Sequence, residues 1–296
     1  MKQLVILSGK GGTGKTTVTA ALAHLASQEM AIVLADADVD AANLELVLEP
    51  VRQEAHDFLS GQVAVIDADV CTACGTCADV CRFDAVTLGT AAYRIDAAAC
   101  EGCAACHYQC PEQAILMQEE QAGYWYRSST RFGPLVHALL LAGRENSGKL
   151  VAMVKQQARQ VAKDTEAALL LVDGPPGIGC PVISASSGMD AALLVVEPTI
   201  SGVHDLGRVL ATTAHFGVPA LVAINKADLN PVRSDEIAQF CEDRNVSLVG
   251  RIPYDTAVTE AMVEGLPITA HADGPVTEAM VDVWRGARAA LDRGLV

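Results

Sequence analysis

Leu4-Val5-Ile6-Leu7-Ser8-Gly9-Lys10-Gly11-Gly12-Thr13-Gly14-Lys15-Thr16-Thr17 is the stretch on which the fold turns. Leu4–Leu7 is an apolar run of strand length, Gly9–Thr16 has the form Gly-x4-Gly-Lys-Thr, and a helix-forming segment follows. Glycines let successive backbone N–H groups face a phosphate without a Cβ in the way, and the helix N-terminus adds its positive dipole end. In that setting Lys15 reaches the β- and γ-phosphates and the Thr16 hydroxyl reaches Mg²⁺. The expected cradle is Gly9, Lys10, Gly11, Gly12, Thr13, Gly14, Lys15, Thr16 and Thr17. A glycine turn with no ligand is the plainer alternative, and the flanking strand and helix argue against it.

Working outward, carboxylates end the next apolar runs. Asp36, Asp38 and Asp40 follow Ala31–Ala35, and Asp173 follows Ala168–Val172 and precedes Gly174-Pro175-Pro176-Gly177. Carboxylates at the carboxyl ends of parallel strands face the phosphate crevice. Asp173 is expected in the Mg²⁺ shell, directly or through water, with Asp36 beside it, and Asp38 is expected to orient the attacking water. A solvated acidic loop is the alternative for each of Asp36, Asp38 and Asp40. Ala168–Val172, Ala191–Val196 and Ala220–Ile224 suit strands buried on both faces. Strand, crossover helix and strand recur, so the expected class is α/β, a doubly wound and mainly parallel sheet.

Between these segments lie eight of the ten cysteines. Cys71, Cys74, Cys77, Cys81 and Cys100, Cys103, Cys106, Cys110 share the spacing C-x2-C-x2-C-x3-C, at an offset of 29 that also maps Ala85–Leu88 onto Ala114–Met117. Two such half-units should pack as a pseudo-twofold pair. C-x2-C pairs also bind Zn²⁺, while the interlocked repeat favours iron–sulfur clusters. The expected organisation is a domain made of residues 1–62 and 119–296, interrupted by an inserted cysteine-rich domain at 63–118. Gly143–Lys149 reads as an exposed loop.

Bulk properties narrow the classes further. The 296 residues are 51% hydrophobic and 19% charged, which is globular and long enough for two domains. A net charge of -15 argues against nucleic-acid or anionic-membrane surfaces. No apolar stretch reaches the ~18 residues of a span, so no membrane and a cytoplasmic location are expected. There a disulfide framework would be uncommon.

Lys10 is the extra lysine of the deviant Walker A loop, and the chain resembles the MinD/ParA/Mrp and nitrogenase-iron-protein class of P-loop ATPases over nearly its whole length. The resemblance implies ATP, cycling to ADP, with Mg²⁺ and catalytic roles for Lys10, Lys15 and Asp38. Lys10 would cross a dimer interface to the partner's nucleotide. Asp36–Asp40 resembles the first switch and Asp173–Gly177 the second. Asn225-Lys226-Ala227-Asp228 resembles a base-recognition turn, with Asn225 the candidate contact, and Glu197-Pro198-Thr199 and Ile252-Pro253-Tyr254-Asp255 also resemble the class. The cysteine runs resemble bacterial ferredoxins with two 4Fe–4S clusters, so the insert is expected to be an α+β ferredoxin-like domain. That resemblance assigns Cys71, Cys74, Cys77 and Cys110 to one cluster and Cys100, Cys103, Cys106 and Cys81 to the other. Pro111 follows the second run as in ferredoxins, whereas Arg82 follows the first.

These readings converge on a Mg²⁺-dependent ATPase, slow without a partner, whose nucleotide switch is coupled to electron transfer or cluster delivery. It would form a homodimer, or a heterodimer with a similar ATPase, and serve a redox or Fe–S acceptor protein. A carrier of the Mrp type and a MinD/ParA-like spatial organiser with structural clusters are the alternatives, and an amidotransferase of the cobyrinate type lacks an evident glutaminase domain. Cys180, in the second switch region, has either a redox or a core role. Cys241 reads as a core thiol, His204 as a helix-start residue, His107 as unneeded for the clusters, and Trp125 and Tyr126 as packing residues. Val276–Val296 reads as a docked helix.

Overall fold

A computed structural model describes residues 1–142 and 147–293. The chain forms two compact units: Met1–His56, Trp125–Leu139 and Ser147–Val296 make the first, and Asp57–Tyr124 with Leu140–Asn146 the second.

Strand and helix alternate from the start: β1 (Lys2–Ser8), α1 (Lys15–Ser27), β2 (Ile32–Asp36) and the short α2 (Leu44–Leu48). The long β3 (Val51–Ile66) then enters the second unit, where α3 (Thr76–Asp79), β4 (Val86–Leu88), β5 (Tyr93–Ile95) and α4 (Ala105–Gln109) follow. The equally long β6 (Ile115–Thr130) returns, and Arg131 and Phe132 join it to β7 (Gly133–Leu140). A two-residue connection suits an antiparallel pair, an exception in a sheet that is otherwise mainly parallel. The alternation resumes with α5 (Ser147–Asp164), β8 (Leu169–Pro176), α6 (Cys180–Ser186), β9 (Ala191–Val196), α7 (Ile200–His215), β10 (Ala220–Asn225), α8 (Pro231–Glu242) and β11 (Ser247–Ile252). Helices α9 (Ala257–Val263), α10 (Ile268–His271) and α11 (Pro275–Arg293) close the chain.

Among the described residues the main sheet has the order β11-β10-β9-β1-β8-β2-β7-β6-β3. β1 lies parallel between β8 and β9, β2 pairs in parallel with β8 and β7, and β10 pairs in parallel with β9 and β11. Leu4–Leu7 and all of β2 and β9 are buried, as expected for strands covered on both faces. Each Leu or Val so buried stabilises by about 1.5–3 kcal/mol relative to exposure. Helix α11 docks as expected, burying Val276, Met280, Val283, Trp284 and Leu291 in a core shared with α1.

The sheet order matters for function because it aligns strand ends. The carboxyl ends of β1 and β10 place Ser8 and Asn225 on one crevice, and Asp36 of β2 lies in register with Asp173 of β8, both fully buried beneath it. Of the expected loop at Gly143–Lys149, Ser147–Lys149 instead open α5, where long alkyl-bearing residues continue a helical face; residues 143–146 lie outside the described residues. No helix among the described residues is long and apolar enough to cross a membrane.

Candidate functional site

Gly9–Gly14 runs between β1 and α1 and takes backbone that only glycine adopts cheaply, with φ of 79° at Gly12 and 87° at Gly14. Gly14 has a second constraint, since a Cβ there would collide with the Asn225 amide. Asn225 Nδ2 donates to the Thr13 carbonyl at 2.8 Å, while its Oδ1 accepts from the Lys226 N–H at 3.0 Å. The residue expected at the base thus also fixes the phosphate loop. Thr13 Oγ1 is buried and makes no hydrogen bond within the protein, an orphaned hydroxyl in the middle of the cradle.

The charged centre sits on the first turn of α1. Lys15 Nζ lies 3.1 Å from Asp38 Oδ2 and 3.5 Å from Asp173 Oδ1. Thr16 Oγ1 donates to Asp173 Oδ2 at 2.7 Å, and Thr19 Oγ1 is 2.9 Å from Asp173 Oδ1. Burial lowers the Lys15 pKa, but the carboxylates of Asp173, Asp38 and Asp36 outweigh it and hold the ammonium above its ordinary value. Burial pushes the Asp38 carboxyl up, with Lys15 working against it. Asp36 is pushed well up by burial and by Asp173, although its oxygens accept the N–H groups of Leu44 and Asp38, each at 3.1 Å. Two acidic side chains, Asp38 and Asp173, thus meet one ammonium, and the Asp173 oxygens with the Thr16 hydroxyl offer the hard donors that suit a divalent cation. Those oxygens of Asp36 hold the chain between β2 and α2, so any part it takes at the cation comes while serving as the loop's anchor.

Lys10 is half-exposed. Its Nζ lies 3.2 Å from Thr199 Oγ1 and 3.5 Å from Glu197 Oε2, and Lys226 Nζ reaches Glu197 Oε1 at 2.6 Å. The Glu197-Pro198-Thr199 segment thus receives the extra lysine within the same chain.

A large pocket opens over the loop. Gly11, Gly12, Gly14, Lys15, Thr16 and Thr17 line it, together with Asp38, Asn43 and Leu46 and with Asn225, Pro253, Tyr254, Val258 and Met262. Its glycine-loop residues and its apolar Leu46, Pro253, Val258 and Met262 suit a nucleotide. Sequence reasoning did not single out Thr19, Asn43, Leu46, Val258 or Met262. Thr19 stands one helical turn after Lys15, a spacing that signals a shared face. Lys155 was also missed: from α5 it donates to the carbonyls of Ser184, Ala185 and Ser187, capping α6 directly after the Asp173 segment, and burial lowers its pKa to about 7.

In the second unit the 29-residue repeat is written into the backbone. Ala73 and Gly102, Gly75 and Ala104, and Asp84 and Gln113 are equivalent pairs, and all six have positive φ. The halves also exchange reciprocal hydrogen bonds: Asp67 N–H to Ala114 O, and Asp96 N–H to Ala85 O, both 2.8 Å. Cys77 and Cys106 are both buried, Cys74 and Cys103 both exposed, and the other four intermediate. Cys71, Cys74, Cys77 and Cys110 line one small cavity together with Ile66, Tyr93 and Ile115. Cys81, Cys100 and Cys103 are not among its lining residues. Burial pushes the Cys77 and Cys106 thiols up, whereas hydrogen bonding with Thr76 lowers Cys74. Among the described residues no three His, Cys, Asp or Glu side chains converge closely enough to hold a single metal ion. Four thiols spread around a cavity fit a polynuclear group better than one Zn²⁺ with ligands at about 2.3 Å.

The remaining candidates fall outside both sites. Cys180 is exposed at the first position of α6, and Cys241 is buried on α8 with its thiol pushed up to about 11 by burial. His107 lies 2.6 Å from the Ile115 carbonyl, and His204 lies 3.6 Å from Asp205 early in α7. Trp125 stacks on His56, and Tyr126 lies beneath Arg52.

Strand, glycine loop, lysine-led helix and aligned acidic strand ends define a P-loop nucleotide-binding protein. Within that class the chain belongs to the CobQ/CobB/MinD/ParA nucleotide-binding family, whose model matches residues 4–268. An uncharacterized protein of Methanocaldococcus jannaschii is 38% identical over 230 residues, covering 78% of this chain and 80% of the relative. An iron-sulfur cluster carrier protein of Pyrococcus abyssi is 23% identical over 300 residues, covering 95% of this chain and 83% of the relative. The septum site-determining protein MinD of Pyrococcus horikoshii, solved with Mg-ADP, superposes with a TM-score of 0.56 at 21% identity, covering 100% of this chain and 99% of that one.

Proposed function

We propose that this chain is a Mg²⁺-dependent ATPase, slow without a partner, whose nucleotide switch is coupled to electron transfer through two 4Fe–4S clusters in an inserted ferredoxin-like domain, nominally residues 63–118. One observation carries the cluster half: Cys110, from the second run, lines the same cavity as Cys71, Cys74 and Cys77 from the first. That interleaving is the ligand exchange a two-cluster ferredoxin requires. The second set is then Cys100, Cys103, Cys106 and Cys81. Bound there, the clusters would supply one-electron redox steps at potentials tuned by burial and hydrogen bonds.

On the nucleotide side, the Gly9–Thr17 cradle and Lys15 would hold the phosphates, and Thr16 and Asp173 would hold Mg²⁺, with Asp36 close behind. Asp38, now bonded to Lys15, would orient water once the γ-phosphate draws Lys15 away. Lys10, released from Glu197 and Thr199, would serve the partner's nucleotide in a homodimer or in a heterodimer with a similar ATPase. Asn225 would approach the base while keeping its hold on Thr13. Free cysteines at this density suit the reducing cytoplasm.

Anaerobic purification with iron and sulfide analysis, followed by EPR of the reduced protein with and without ATP, tests this reading. About eight iron and eight sulfide per chain are expected. A colourless protein holding zinc would overturn it.

Fe–S cluster delivery of the carrier type is a second reading, favoured by the likeness to the Pyrococcus abyssi carrier protein. Transfer of iron onto an apo-ferredoxin separates it from electron delivery. A spatial organiser would need a membrane-binding basic amphipathic segment or a DNA-binding surface, whereas α11 buries its apolar face and the net charge is -15. Liposome and DNA co-sedimentation are accordingly expected to be negative.

A further inference from the structure

Helix α2 is held at both ends by different parts of the machinery. At its start, Leu44 N–H donates to Asp36 Oδ2 at 3.1 Å, and the other oxygen of this buried carboxylate takes the Asp38 N–H. The nucleotide-facing loop therefore sets where α2 begins. At its end, the Val47 carbonyl accepts from Arg131 Nη2 at 3.0 Å, and the same nitrogen donates to the Gly265 carbonyl just beyond α9. Glu49 closes α2 in the left-handed region, with its carboxylate packed so near Gly265 that a Cβ there would lie 2.7 Å from Glu49 Oε1. Leu46 of α2 and Met262 of α9 both line the nucleotide pocket. Arg131 thus bridges the ends of the two helices that flank it, where a cation also favours the helix dipoles.

The chain path makes this bridge more than local. Two residues after α2, β3 begins and runs 16 residues to Ile66, five positions before Cys71. β6 starts at Ile115, five positions after Cys110, and runs 16 residues to Thr130, next to Arg131. The strands that lead away from two thiols of one cavity therefore reach to within four residues of the acceptor and one residue of the donor of a single hydrogen bond.

We propose that α2 is the lever that carries nucleotide state from the pocket to the cysteine-rich unit, with Arg131 as the positioning residue that fixes its far end. When ligand contacts shift the Asp36–Asn43 loop, α2 moves as a rigid turn because Leu44, Val47 and Leu48 are buried together. While Arg131 grips Val47, that motion is imposed on β3 and β6 together; without the grip it is absorbed at Glu49 and Pro50. The cluster consequence rests on the function proposed above, but the motion itself does not.

The test is hydrogen exchange on the full chain, read over residues 44–66 and 115–130, with no nucleotide, with Mg-ADP and with Mg-ATP. In the unaltered protein ATP is expected to change exchange in both strands about threefold or more. In Arg131→Ala the change should stop at residue 50 and spare both strands, while ATP affinity remains within about threefold and the iron content is unchanged. If Arg131→Ala does not fold, Arg131→Met keeps the packed stem, removes the donors and is expected to behave the same way. The proposal is overturned if the strands respond equally in the variant, or if they ignore ATP in the unaltered protein. Iron reduction rates give the separate arm: the ratio with ATP to ADP should collapse to about 1 in the variant. A chain holding no iron would end the cluster reading and leave the exchange result to decide the lever.

Discussion

Thr16 Oγ1 donates to Asp173 Oδ2 at 2.7 Å, joining the first turn of α1 to the middle of β8. Thr19 reaches the other oxygen at 2.9 Å, so Asp173 is gripped on both sides before any cation enters. If Mg²⁺ binds at the Thr16 hydroxyl, as proposed above, Asp173 is the carboxylate already beside it.

Asp173→Asn should therefore act on metal use before it acts on folding. The amide keeps the size and can accept from Thr16, but it removes the charge that a divalent cation requires. Phosphate release is expected to fall about 10²–10³-fold, while ATP binding measured in EDTA changes far less. Hydrolysis that keeps its Mg²⁺ dependence in the variant would remove Asp173 from the metal shell.

Lys15 and Lys10 share a loop but have opposite surroundings. Lys15 is buried among carboxylates, and Lys10 is half-exposed against Glu197 and Thr199. Lys15→Ala should weaken ATP binding tenfold or more, since it removes the buried cation facing the phosphates. Lys10→Ala should leave binding within about threefold and abolish ATP-dependent dimers, as read by analytical ultracentrifugation. Equal binding losses in both variants would mean that Lys10 serves the nucleotide of its own chain.

The strands that build this site were legible because burial on both faces removes polar residues from them: Leu4–Leu7, Ile32–Ala35 and Ala191–Val196 read as strands without ambiguity. β3 and β6 were not legible. Arg52, Gln53, Glu54, His56 and Asp57 sit in a largely exposed strand whose apolar signal is thin, so it reads as a polar connector. At the site, the sequence located the carboxylates but not their neighbours. That Asp36 spends both oxygens on backbone N–H groups, or that Asn225 grips Thr13, depends on contacts 2 to 212 residues apart in the chain. Periodicity cannot report such contacts, and only the doubly constrained Gly14 hints at something close by.

His137 carries a pH signature that can be isolated. It is buried on β7, 2.9 Å from Ser128 Oγ, and burial lowers its pKa to about 4 from 6.5. Between these values the unfolded chain binds a proton that the folded chain refuses, so stability falls as pH drops from 6.5 towards 4 and is fully present above 6.5. The full shift corresponds to roughly 3 kcal/mol as an upper bound. His137→Asn should lose that slope: the stability difference from the unaltered protein, measured by urea unfolding, should change between pH 6.5 and 4 and stay flat from 6.5 to 8. A difference that stays constant across both ranges would show that His137 does not titrate as a buried neutral imidazole.

Which thiols act together can be read from doubled substitutions. Because Cys71, Cys74, Cys77 and Cys110 share one cavity, Cys71→Ser and Cys110→Ser should each remove about half of the iron, and the pair together should remove no more than either alone. Cys71→Ser with Cys81→Ser should remove nearly all of it, since those residues fall in different sets. If each run of four held its own cluster, the pattern would reverse: the Cys71 and Cys81 pair would cost half and the Cys71 and Cys110 pair everything. Cys241→Ser, at a buried thiol on α8, should leave iron and visible absorbance unchanged, which separates ligand loss from a general effect of removing a cysteine. Iron and sulfide analysis of the five anaerobically prepared variants distinguishes the interleaved arrangement from the sequential one.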